Sequence, residues 1–117
     1  MEIHESKIGD VQVVAPSGNL DTVSSTPLEE RLRTLIEGGV RQVLLDFSEL
    51  EYINSSGLKA ILITAKHLDA VGGKLVLCTL SPNVLMIFDM IGFSRILTIV
   101  PGREEALRAL EADGAAA

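Results

Sequence analysis

The chain has 117 residues, 47% of them hydrophobic but only 3% aromatic, and 16 acids against 10 Lys and Arg give a formal charge of −6. This length supports one domain that buries roughly two-thirds of its unfolded surface around an aliphatic core. The acidic balance, the lack of a basic cluster and the scarcity of rings argue against a nucleic-acid partner.

The opening residues alternate from Ile3 to Ile8, turn at Gly9-Asp10 and resume over Val11–Ala15, which predicts a β-hairpin. Thr26-Pro27-Leu28-Glu29 follows as a capping box with proline at the first helical position. From there Leu28, Leu32, Leu35 and Ile36 form one apolar stripe that stops at Gly38-Gly39. Val43–Phe47 is almost continuously apolar, as expected of a strand covered on both faces.

A short loop then leads to Asn54-Ser55-Ser56-Gly57 and a helix whose Leu58, Ile61, Leu62, Ala65 and Leu68 share a face, with Gly72-Gly73 as the stop. Lys74–Leu80 reads as a buried strand, and its single cysteine, Cys78, as a buried thiol with no internal disulfide partner. Ser81-Pro82 starts a helix through Met90, Ile96–Val100 is a last strand, and Arg103–Leu110 a last short helix. Residues 1–112 form the domain and 113–117 a tail expected to fray. With no leader and no apolar stretch of membrane length, a cytoplasmic protein without membrane insertion is expected.

Strands alternating with helices imply an α/β fold: a mixed, mostly parallel sheet opened by the N-terminal hairpin and packed by about four helices. Ser55 and Ser56 fall where a helix start offers unpaired N–H groups and the positive end of a dipole, which would stabilise a phosphate. The alternative is that either serine is simply an N-cap. Winding the helix at 100° per residue places Lys59, Ile63, Lys66, His67 and Ala70 opposite the apolar stripe. Asn54–Leu68 holds two lysines and no acid, so this face is locally positive on an acidic protein.

Catalytic arrangements are missing. Neither serine has the glycines of a nucleophile elbow. His67 lies eleven or twelve residues further along the same helix, roughly 17 Å away, and His4 is placed on the surface of the opening strand. No phosphate-cradling glycine loop ends in Lys-Ser or Lys-Thr, and two histidines and one cysteine at unrelated spacings make no metal site. The expectation is a protein that is not an enzyme and carries no cofactor or metal. Ser55 can still be the substrate of an external kinase that supplies ATP and Mg²⁺.

The serine loop, with Gly18-Asn19-Leu20-Asp21 upstream and Leu80-Ser81-Pro82-Asn83-Val84 and Phe88-Asp89-Met90-Ile91-Gly92-Phe93 downstream, resembles the anti-sigma-factor antagonists of the STAS domain family over most of the chain. The resemblance implies the STAS fold and a phosphorylated serine, first of the pair in Asp-Ser-Ser-Gly or Asp-Ser-Thr-Gly, which falls on Ser55 with Ser56 as runner-up. Asn54 stands where the family usually has aspartate, which removes one negative charge while keeping an oxygen acceptor. By the same resemblance Asp21 lies near the serine at the rim of a partner surface, its alternative being a turn or capping aspartate; Asp46 braces the loop.

The partner surface so implied comprises Asp21, Asn54, Ser55, Ser56 and Gly57, to which the helical winding adds Lys59 and Ile63. The implied partners are an anti-sigma factor with serine-kinase activity, which the unphosphorylated protein binds so that the sigma factor is released for transcription, and a metal-dependent serine phosphatase that resets the switch. A STAS scaffold, or a cytoplasmic subunit of a transport or stress-signalling complex, is the alternative.

Overall fold

The structure, a computed structural model, describes residues 1–116, with side chains described through Glu111. Strands β1 (Glu2–Ile8) and β2 (Val11–Leu20) form the expected antiparallel hairpin, in register from Glu2 opposite Ser17 to Ile8 opposite Val11. There follow α1 (Thr22–Glu37), β3 (Gln42–Asp46), β4 (Leu50–Ile53), α2 (Ser55–Ala70), β5 (Lys74–Cys78), α3 (Pro82–Met90), a 3₁₀ turn at Phe93–Arg95, β6 (Thr98–Val100) and α4 (Arg103–Ala116). The sheet runs β1-β2-β3-β5-β6, all pairs after the hairpin being parallel, and β4 adds to the far end of β2. This is the mixed, mostly parallel α/β sheet anticipated from the alternation of elements.

The sheet is covered on both faces, and the strand sequences show why. Along β3, Val43 and Leu45 point into a cluster with Leu28, Leu32, Ile36 and Ile61 from α1 and α2, while Leu44 points the other way, to Ala106 and Leu110 of α4. Alternate residues therefore enter two different cores, which is what a near-continuous apolar strand requires. The aliphatic core has one aromatic addition: Phe88 sits between Phe47 and Phe93, with ring centroids 6.5 and 6.1 Å away. Cys78 is buried, and burial raises its thiol pKa.

Relative to the sequence expectation β2 runs past Ala15 to Leu20, β5 stops at Cys78 and β6 begins at Thr98, and three further elements differ. Helix α1 begins at Thr22, four residues before the expected cap, because Asp21 caps it: the Asp21 carboxylate accepts from the N–H groups of Val23 and Ser24 at 3.0 and 3.1 Å, while the Asp21 N–H donates to Ser24 Oγ at 2.9 Å. Pro27 consequently lies inside the helix, on its exposed side. The loop after β3 contains β4, whose pairing with β2 begins where the chain shifts register at Gly18, a residue with φ of +85° that only glycine adopts without strain. Helix α4 continues past Leu110 to Ala116; of the expected tail at 113–117, no side chain lies within the described residues, and Ala117 lies outside them altogether.

Candidate functional site

Two helices start side by side at the end of the sheet where β2 and β4 finish. Leu20 closes β2 and accepts from the Asn54 N–H at 3.1 Å, so strand pairing fixes the chain up to the residue before α2. Asn54 is extended (φ −115°, ψ −173°) and serves as the N-cap: its Oδ1 accepts from Ser56 N–H at 3.0 Å and Gly57 N–H at 3.3 Å. The cap is therefore neither serine. It follows that two N–H groups of the first turn, expected to be free, are already engaged by the Asn54 carboxamide.

Ser55 occupies the first helical position and is exposed; Ser56 is half-buried, with its hydroxyl 3.2 Å from Thr22 Oγ1. Asn54 Nδ2 donates to the same Thr22 Oγ1 at 3.4 Å. Thr22 thus joins the first turns of α1 and α2, bringing the capping residues Asp21 and Asn54 to one end of the molecule. Thr22 was not singled out from the sequence; a threonine directly after a capping aspartate was the available signal. Asp21 holds the capping role that was its alternative reading, and the Ser24 N–H, with the Ser24 hydroxyl and the Val23 N–H, keeps its carboxyl below the usual carboxylate range.

Gly57, expected on the partner surface, is buried. A Cβ there would stand 2.8 Å from Leu20 Cγ and from the Leu20 carbonyl oxygen and 2.9 Å from Ile53 Cγ1. Its lack of a side chain is what lets α2 approach the ends of β2 and β4. Further along α2, Lys59, Ile63, Lys66 and Ala70 are exposed and His67 is half-buried, as the helical winding predicts. Ile63 is 41% exposed, a large aliphatic side chain on a polar face. Lys59 and Ile63 line a groove of about 250 Å³ between α1 and α2, shared with Thr22, Glu29 and Ser56. The buried face is rotated slightly from expectation: Thr64 is inside, its hydroxyl donating to the Ala60 carbonyl at 2.9 Å, whereas Leu62 and Ala65 are half-buried.

Asp46 braces the loop as anticipated. Its Oδ1 accepts from Ser48 N–H at 3.0 Å and its Oδ2 from Arg103 Nε at 2.9 Å, which ties the end of β3 to the start of α4. The role of Arg103 was not read from the sequence. A wider cleft of about 790 Å³ at the opposite end of the sheet carries Lys7, Arg41 and Lys74. There Arg41 Nη1 donates to the Ile36 and Val40 carbonyls, so this cation serves the end of α1.

Among the described residues, no hydrolytic arrangement surrounds Ser55. His67 lies three turns along the same helix, and His4 is exposed on the edge strand, 3.4 Å from Glu2. Among the described residues, no group of three or more His, Cys, Asp or Glu is placed to hold a metal ion, and no helix is long and apolar enough to cross a membrane. What the arrangement offers is an exposed hydroxyl at a capped helix start, flanked by a weakly apolar, locally basic face.

Comparison with known proteins gives this geometry a family. The model of the STAS domain matches residues 3–106. A Bordetella bronchiseptica protein named as an anti-sigma factor antagonist, BtrV, is 35% identical over 111 residues, spanning 95% of this chain and 96% of its own. The anti-sigma F factor antagonist of Paenibacillus polymyxa is 30% identical over 102 residues, spanning 86% and 87%. Among solved structures, the chain is similar in fold to one described as an anti-sigma factor antagonist from Thermotoga maritima, with a TM-score of 0.90 at 20% identity over 93% and 94% of the two chains. It is also similar to the phosphorylated form of the Bacillus cell fate determinant SpoIIAA, with a TM-score of 0.72 at 23% identity over 92% and 98%.

Proposed function

Because the chain belongs to the STAS domain family, we propose that it is an anti-sigma-factor antagonist switched by phosphorylation of Ser55. The unphosphorylated form binds an anti-sigma factor with serine-kinase activity, and the sigma factor is released for transcription. The observation that carries this reading is the exposed Ser55 hydroxyl at the first position of α2, beside the Asn54 cap. The function named for the relatives supports it. ATP and Mg²⁺ belong to the kinase: the Ser55 Oγ–P bond forms, the bond from the γ-phosphorus to ADP breaks, and the hydroxyl proton passes to a base on the kinase. A metal-dependent serine phosphatase hydrolyses the ester and resets the switch.

Ser55, Lys59 and Ile63 form the contact face in this reading, with Asp21, Asn54 and Ser56 at its rim and Gly57 beneath it. Incubating the protein with its cognate kinase, ATP and Mg²⁺ and locating the phosphate by mass spectrometry tests the assignment. One phosphate on Ser55, abolished in Ser55→Ala, is expected. A stoichiometric phosphate on Ser56, or undiminished labelling of Ser55→Ala, overturns it.

A second reading, a STAS scaffold or cytoplasmic subunit of a transport or stress-signalling assembly, draws on a different surface. Leu85, Met86 and Met90 on α3, and Ile91 and Ile96 between α3 and β6, are all exposed, large apolar side chains suited to stable association. In that case the protein would stay bound to its assembly whether or not Ser55 carries phosphate.

A further inference from the structure

We infer that Lys59 is a built-in counter-ion for phosphate on Ser55, so that modification withdraws a positive charge from the partner-facing surface as well as adding negative charge. The inference rests on Ser55 being the acceptor. Asn54 already occupies the N–H groups of Ser56 and Gly57, so these two donors are not open to a phosphate and a neighbouring side-chain cation is a further source of stabilisation. Lys59 is four residues beyond Ser55 on α2, and both are exposed. Residues at this spacing are neighbours on a helix surface, and the order with the anion nearer the N-terminus is the favourable one.

Among the described residues, Lys59 forms no ion pair within 4 Å, so no existing bond has to be broken. Of the neighbouring acids, Glu29 lines the same groove as Lys59 without an ion pair to it within 4 Å; Asp21 is engaged in capping α1; Glu51 lies on β4, before the cap. Lys66, the next cation along α2, is eleven residues from Ser55, roughly 17 Å. Arg31 of α1 is bound to Glu5 of β1 at 2.6 Å.

The pairing is tested with phosphoserine installed at position 55 during synthesis, without any kinase, and its second ionisation followed by phosphorus NMR in the full chain. Lys59 should stabilise the dianion, so the titration midpoint should lie roughly 0.2 to 0.4 of a pH unit lower than in the Lys59→Met protein. Lys59→Arg should keep the shift, and about 0.5 M salt should largely remove it. Equal midpoints in the Lys59 and Lys59→Met proteins, with both folded by thermal melting, would overturn the pairing. Because the phosphate is placed chemically, that result would leave the acceptor assignment standing; the acceptor is decided separately by kinase labelling.

Discussion

Gly57 carries more of the site's geometry than its position between two serines suggests. Since a Cβ would press on the Leu20 backbone as well as on two side chains, Gly57→Ala must push α2 away from β2 and β4. A cost of roughly 3 kcal/mol is expected, seen as a fall in melting temperature on the order of 10 °C; a change under 2 °C would show that the helix start can shift freely. Asp21 responds to pH in a defined direction. Its folded-state pKa is lowered, so its contribution is complete above the unfolded value near 4 and is lost as pH falls through the lowered folded value. The melting-temperature difference between the protein and Asp21→Asn should therefore be largest near pH 7 and shrink toward pH 2. A difference independent of pH would rule out the carboxylate as the source. At this scale the sequence named Ser55, Lys59 and Ile63 through motif and helical winding, both local properties. The burial of Gly57 and the bridging role of Thr22 depend on contacts 32 to 37 positions apart, which no local pattern specifies, although a threonine directly after a capping aspartate hints at the second.

Element α1 shows how two capping signals compete. Both Asp21-Thr22-Val23-Ser24 and Thr26-Pro27-Leu28-Glu29 can cap a helix, and the downstream one is the more familiar pattern. The upstream cap prevails because Asp21 and Ser24 serve each other reciprocally and the helix gains an extra turn against α2. The consequence is a proline in the helix interior, which leaves the Val23 carbonyl without its usual donor. Pro27→Ala should restore that bond and stabilise the protein by about 1 kcal/mol or more, raising the melting temperature by roughly 4 °C. An unchanged or lower melting temperature would indicate a helix that begins at Pro27. Strand β4 escaped the sequence reading for another reason: its pattern, buried at Leu50 and Ile53 and exposed at Glu51 and Tyr52, lacks a strand's alternation and has instead the i, i+3 spacing of a helix turn. Its pairing with the end of β2 is what makes it a strand. The hairpin, β3, β5 and α3 were readable because alternation, apolar runs and the Ser81-Pro82 start are all contained within each segment.

For the whole molecule, the Ser55 end and the core are separable. The buried face of α2 packs into the sheet while Ser55, Lys59 and Ile63 face outward, so modification of Ser55 should alter a surface without rebuilding the fold. Ile63→Asp, which puts a charge where a partner would exclude water, should weaken binding of the anti-sigma factor strongly while leaving the melting temperature within about 2 °C. Unchanged affinity would assign Ile63 to inert surface. The most direct test of the Ser55 switch is calorimetric titration of the cognate anti-sigma factor into unmodified and Ser55-phosphorylated protein, with both forms checked by thermal melting. Two further negative charges and a desolvated phosphate facing a surface built for a hydroxyl should lower affinity roughly a hundredfold, with the melting temperature nearly unchanged. Equal affinities for the two forms, or a collapse of the melting temperature on phosphorylation, would contradict it.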